Sequence, residues 1–183
     1  MATSTPQQFT LPQHQRAERK LLLTVAEWTE GTGTSASQVR ELLGRRTEDS
    51  SIEYNADIQT STDILGINYT DINKTQPQQD FDPYLILGGS KLGALLDDIR
   101  RRNALAELSQ FTLYVITAYI DTGSGTTHAY QAEKHTNCTI TYNSLGGDAN
   151  VNMPISVYFS NESVTGTVDK LSIDFTFTQD ASL

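Results

Sequence analysis

The sequence predicts a mainly β, mostly antiparallel protein of about seven strands with one α-helix. Three observations carry this expectation. Val, Ile, Thr, Tyr and Phe crowd the second half of the 183-residue chain, and these residues fit a pleated, half-buried surface. Residues 51–60 and 171–178 alternate apolar and polar with a period of two, which places one face of a strand against a core and the other in water. Only one stretch, following Ser90, repeats its apolar residues at spacings of three and four.

The elements follow in order. Residues 1–18 are polar, Gln-rich and contain two prolines, which predicts an extended N-terminal arm. Residues 19–183 are then a single domain, since a chain of this length suits one ordinary domain better than two. The apolar run at 20–27 predicts a first strand buried on both faces. Residues 28–37 read as loop broken by Gly31 and Gly33, and 38–43 as one helical turn ended by Gly44. In 51–60, Ile52, Tyr54, Ala56 and Ile58 share the dry face; Glu53, Asn55, Asp57 and Gln59 share the wet one. Ser61, Thr62 and Asp63 turn the chain, and 64–75 return beside it with Ile64, Ile67 and Tyr69. Asn68, Thr70, Asp71 and Asn73 dilute that return. The result is a long, half-polar hairpin that needs support from outside its own two strands.

Residues 76–89 read as loop with Pro77 and Pro83. Ser90 caps the helix that follows, through Leu105 or slightly beyond. Leu92, Leu95, Leu96 and Ile99 share its apolar face, while Asp97 and Asp98 precede Arg100, Arg101 and Arg102 as the helix dipole favours. Residues 111–120 carry no charge and form a central strand. Residues 121–125 turn, and 128–134 and 136–142 continue as strand. Gly146, Gly147 and Asp148 form a structural turn before a strand around Ile155, Val157 and Phe159. Residues 161–166 turn again. The last strand sets Leu171, Ile173, Phe175 and Phe177 on one face.

Composition narrows the function classes. The formal charge is −9, from 22 acidic against 13 basic side chains. Counterion-release binding of nucleic acid needs Lys/Arg clusters, and here only Arg16/Arg19/Lys20, Arg45/Arg46 and Arg100–102 occur, with acids close by. One cysteine, Cys138, excludes an internal disulfide framework; its parity with Ile140 and Tyr142 marks a small core residue. The N-terminus lacks an apolar signal region and no apolar run reaches the ~20 residues of a membrane helix, so neither secretion nor membrane insertion is expected. Synthesis in a cytosol follows, and the four Asn-x-Ser/Thr matches are then incidental.

No pattern of catalysis emerges. His128 and His135 lie seven apart and fall on opposite faces of a regular strand, whereas zinc needs three or four converging ligands. Gly88-Gly89-Ser90-Lys91 lacks the phosphate-loop spacing and reads as helix entry. The aspartates show neither paired-carboxylate nor calcium-loop spacing, and no Gly-x-Ser-x-Gly occurs. No enzyme activity, cofactor or metal is expected.

Several stretches taken in order do resemble a known family: RELLGRRTEDSSIEYN (40–55), TSTDILG (60–66), TQPQQ (75–79), DIRR in the helix (98–101), LGGD (145–148) and GTV (166–168). Over about residues 20–178 they are similar to the major tail proteins that build the tail tube of long-tailed bacteriophages. The resemblance implies an antiparallel β-sandwich or small barrel with one flanking α-helix and a long hairpin, as in phage tail tubes. It also implies a virion protein, made in the host bacterial cytoplasm. Copies would form hexameric rings that stack into a hollow tube passing double-stranded DNA without specific binding. Tape measure, tail terminator and baseplate or tip proteins are the further partners it implies. On this reading Ile52, Tyr54, Ile58, Ile64, Ile67 and Tyr69 are intersubunit hairpin residues, Glu53, Asn55, Asp57 and Gln59 line the lumen, and Gly146, Gly147 and Asp148 lie in a turn at a ring-to-ring contact. An acidic lumen suits the task, because carboxylates repel phosphate. The inner tube of a contractile tail or of a phage-like bacteriocin is the nearest alternative. A carbohydrate-binding β-sandwich is weaker, having one Trp and scattered tyrosines.

Overall fold

The structure is a computed structural model that describes residues 9–31, 33–47 and 49–181. Of the expected N-terminal arm, residues 1–8 lie outside this range. The described residues form eleven strands and one α-helix. In chain order these are β1 (Leu22–Glu30), β2 (Ser37–Leu42), β3 (Ile52–Glu53), β4 (Asp57–Thr62), β5 (Asn68–Lys74), β6 (Gln78–Phe81), α1 (Lys91–Arg102), β7 (Phe111–Asp121), β8 (Tyr130–Tyr142), β9 (Ile155–Tyr158), β10 (Ser163–Val168) and β11 (Phe177–Gln179). The mainly β, antiparallel class with one α-helix is therefore as the sequence predicts.

The chain forms two compact units, each built from separated segments. The first comprises Met1–Leu43, Thr112–His135 and Ser163–Leu183. Its strands run in the order β2, β1, β7, β8, β10, β11. Strand β1 is buried from Thr24 to Trp28 and pairs with β2 on one edge and β7 on the other. Strand β7, uncharged from 111 to 120, likewise lies between two strands, β1 and β8. Val25, Tyr114, Ile116, Ala132, Val168 and Phe175 make the core of this unit. At its start, Thr10 N–H donates to the Tyr119 carbonyl at 3.0 Å and Phe9 packs edge-on against Tyr119 at 5.7 Å.

Five local expectations are corrected here. Residues 38–43 are strand β2, not a helical turn, because six register positions opposite β1, including Trp28↔Val39 and Glu27↔Arg40, outweigh local propensity. Strand β1 itself extends to Glu30, into the expected loop. Residues 163–168 are strand β10, not turn, paired on both sides by β8 and β11. The expected long final strand shrinks to Phe177–Gln179. Upstream of it Asp169 accepts from the Thr176 amide at 2.7 Å and Lys170 pairs with Asp174 at 2.7 Å, so 169–176 fold as a loop that leaves Leu171 and Ile173 exposed. Strand β8 is one strand through Thr136, with Asn137 at φ +57° inside it.

The second unit comprises Gly44–Phe111 and Thr136–Glu162. Here the end of β8 pairs with β9, β9 with β6, and β6 with β3. Strand β6 lies in the expected loop, between Pro77 and Pro83. Gln79 and Phe81 point inward at 1% exposure, and the Gln79 amide is satisfied by donating to Ser50 Oγ at 3.0 Å. Helix α1 starts where expected. Ser90 Oγ accepts from Gly93 N–H at 3.1 Å, and Leu92, Leu96 and Ile99 are fully buried. It ends on Asn103 at φ +55°, earlier than Leu105. Asp97 pairs with Arg100 and Arg101, and Asp98 with Arg102, at spacings of three and four.

Candidate assembly surface

The hairpin expected from 51–75 is present, but it is built differently. Asn55 adopts φ +40°, a conformation Asn tolerates better than most residues. It ends β3 at Glu53, and the chain restarts as β4 at Asp57. Ile52 and Glu53 belong to β3, paired with β6, whereas Asp57, Ile58 and Gln59 belong to β4, paired with β5. The single alternating face drawn through Ile52, Tyr54, Ala56 and Ile58 is therefore interrupted. A backbone bond from Gln76 N–H to the Tyr54 carbonyl at 3.1 Å closes the base of the hairpin.

Strands β4 and β5 make a separate two-stranded sheet. Directly opposed residues share a face. One face carries Ile58 opposite Ile72, Thr60 opposite Thr70 and Thr62 opposite Asn68; the other carries Gln59 opposite Asp71 and Ser61 opposite Tyr69. Among the described residues no further strand pairs with either. Both faces are open: Ile58 is 61% exposed, Ile72 65% and Tyr69 45%. A two-stranded hairpin alone is marginal in water.

Asp63 organises the turn. Its Oδ1 accepts from the amides of Leu65 and Ile67, both at 2.8 Å, and its Oδ2 accepts from the Tyr69 hydroxyl at 2.5 Å. The Tyr69 hydrogen bond, followed by the amides, holds the Asp63 carboxyl below its ordinary pKa; the same bond raises Tyr69. The sequence marked Asp63 only as a turn residue. The signal for more was the spacing of Asp63 to Ile67 and Tyr69, four and six positions on.

The Gly146-Gly147-Asp148 stretch splits into two roles. Gly146 pairs with Asn152 in a short ladder, accepting from its amide at 2.6 Å and donating back at 3.0 Å. Gly147 adopts φ +142°, and a Cβ there would sit 1.9 Å from the Asn150 carbonyl oxygen, so only glycine fits. Asp148 is exposed.

The residues weighed for chemistry are dispersed. His128 pairs with Asp121 at 2.6 Å and stacks on Tyr130; His135 is buried against Glu133 at 3.4 Å. Asp121 is held low by the amide of Ala129 and then by His128. Cys138 is fully buried in the second unit. Among the described residues no group of three or more His, Cys, Asp or Glu converges as a metal site, and no helix is long and apolar enough to cross a membrane.

No family model and no curated protein matches this chain. The geometry of the hairpin and the resemblance set out above are therefore what bear on function.

Proposed function

We propose that this chain is a structural protein of a bacteriophage tail tube. Copies associate through the β4–β5 hairpin into stacked, hexameric rings around a pore that conducts double-stranded DNA. The observation that carries the reading is the hairpin, which exposes apolar residues on and around both faces and pairs with no third strand among the described residues. Joining it to the sheet of a neighbour covers the face that carries Ile58 and Ile72 and removes an edge that would otherwise seed aggregation. Asp57 and Gln59 of β4, with the net charge of −9, supply an acidic, non-adhesive lining; Glu53, in β3 and paired with β6, lies outside that strand. The inner tube of a contractile tail draws on the same features. Tape measure, terminator and tip proteins are partners of the finished tube.

Negative-stain microscopy of the purified protein tests this. Rings or hollow tubes are expected; a uniform monomer at high concentration, binding glycans instead, overturns it.

A further inference from the structure

We propose that Thr10 is the clasp of a releasable strap that closes the end of β7, and that this closure keeps the strand end from pairing with another chain. The inference is independent of the hairpin and goes beyond the assembly reading above.

Strand β7 outruns its partner. Its pairing with β1 ends at Leu22↔Thr117, because Arg19–Leu21 fold as a 3-10 turn instead of continuing the strand. β7 itself runs on to Asp121. Residues 118–121 are thus a strand end that β1 does not reach. Ala118, Tyr119 and Ile120 are uncharged, and the stretch lacks the Lys or Pro that often blunts an open edge. Asp121 carries a charge, but its carboxylate is engaged in the turn that follows. It accepts from the amides of Gly123 and Ala129, both at 2.9 Å, and pairs with His128.

Thr10 takes up the backbone groups left over. Its N–H donates to the Tyr119 carbonyl at 3.0 Å. Its Oγ1 accepts from the Asp121 N–H at 2.7 Å and donates to the Asp121 carbonyl at 3.2 Å. A residue of a parallel strand would span Tyr119 and Asp121 with its own N–H and C=O. Here the hydroxyl replaces that carbonyl, and because a hydroxyl both donates and accepts, it serves both groups of Asp121. Phe9 adds its edge-on contact with Tyr119. The hold is light. Phe9 is 66% exposed, and residues 9–20 are exposed apart from half-buried Leu11. A segment with so little burial opens far more readily than the whole fold.

The test uses the full chain as wild type, T10V, T10S and T10P. Amide exchange at Asp121 reads the strap, and exchange at 112–116, in the β1–β7 ladder, reads the fold. T10V keeps the shape and loses the hydroxyl; it is expected to speed exchange at Asp121 about tenfold with 112–116 unchanged. T10P loses the N–H as well and is expected to exceed T10V. T10S restores the hydroxyl and the slow exchange. Raising the protein concentration is expected to slow Asp121 again in T10V and T10P, as one copy pairs with the bared strand end of another, with matching larger species in sedimentation that T10S lacks. Should T10P also loosen 112–116, the T10V and T10S pair decides. Asp121 exchange as slow in T10V as in wild type overturns the strap. Fast exchange in T10V that no concentration slows overturns the guarding of the strand end. Neither result touches the tail reading, which stands or falls on rings of wild type.

Discussion

Arg40 shows how much one side chain can hold. It pairs with Glu27 at 2.5 Å, lies over the rings of Phe175 at 4.3 Å and Tyr114 at 5.3 Å, and donates to the Phe175 carbonyl at 2.7 Å. The Glu27 side chain is only 7% exposed, and Tyr114 donates to it at 3.3 Å. Burial first, and then Glu27, push the Tyr114 pKa up to about 12. Arg40→Ala leaves a buried carboxylate unpaired and is expected to cost about 3 kcal/mol in urea denaturation. Replacing both partners, with Glu27→Leu and Arg40→Met, is expected to recover most of that loss, because no charge then stays buried. Neither partner is legible as such in the sequence, since 38–43 read locally as a helical turn and the Glu27–Arg40 pair exists only through the β1–β2 register. Asp63 carries the pH dependence of the tip. Its native pKa lies below the ordinary carboxylate value, so the order it confers is complete above the unfolded pKa of about 4 and is lost as the pH falls through the lowered native value. Amide exchange at Leu65 and Ile67, corrected for intrinsic rates, is expected to accelerate in that acid window and to stay flat between pH 5 and 8.

Elements with strong internal periodicity were legible, and those defined by their neighbours were not. Helix α1, with its Ser90 cap, and β7, uncharged over 111–120, follow from local pattern. Strands β2, β6 and β10 do not. Each is short, and β6 is mostly polar, with Gln79 buried only because Ser50 supplies a partner. Gly166 looked like a turn residue, yet it lies in β10 opposite Gln179, where a Cβ would meet the Thr178 carbonyl oxygen at 2.3 Å and the Phe177 ring at 2.6 Å. It is a close-approach glycine rather than a breaker. Gly166→Ala must displace backbone and is expected to cost about 1–3 kcal/mol, with exchange protection lost first in β11. The reverse error occurred at 171–176. Clean alternation predicted a strand there, but β10 ends at Val168 and offers no partner further along.

At the scale of the whole molecule, the hairpin stands apart from the packing that stabilises the rest. Replacing residues 57–74 by a short Gly/Ser turn is expected to leave the melting temperature within about 4 °C of wild type, since little burial is lost. The same variant is expected to form no rings by microscopy. A fall of more than ~10 °C would mean that the hairpin serves its own chain's fold and would weaken the assembly reading. The candidate surface was legible in outline, because the dilution of 64–75 by polar residues already marked a hairpin in need of support. The break at Asn55 and the carboxylate-bound tip were not legible, because both depend on backbone angles that composition does not encode.

Cys138 is the only sulfhydryl in the chain and is fully shielded in β8. A shielded thiol reacts with iodoacetamide only when its surroundings open, so it is an inbuilt clock for spontaneous opening. Alkylation is expected to be slow in native protein and rapid in urea. If polymerisation braces the subunit, the rate should fall further in filaments, giving a gauge of how much each protomer is steadied by its neighbours.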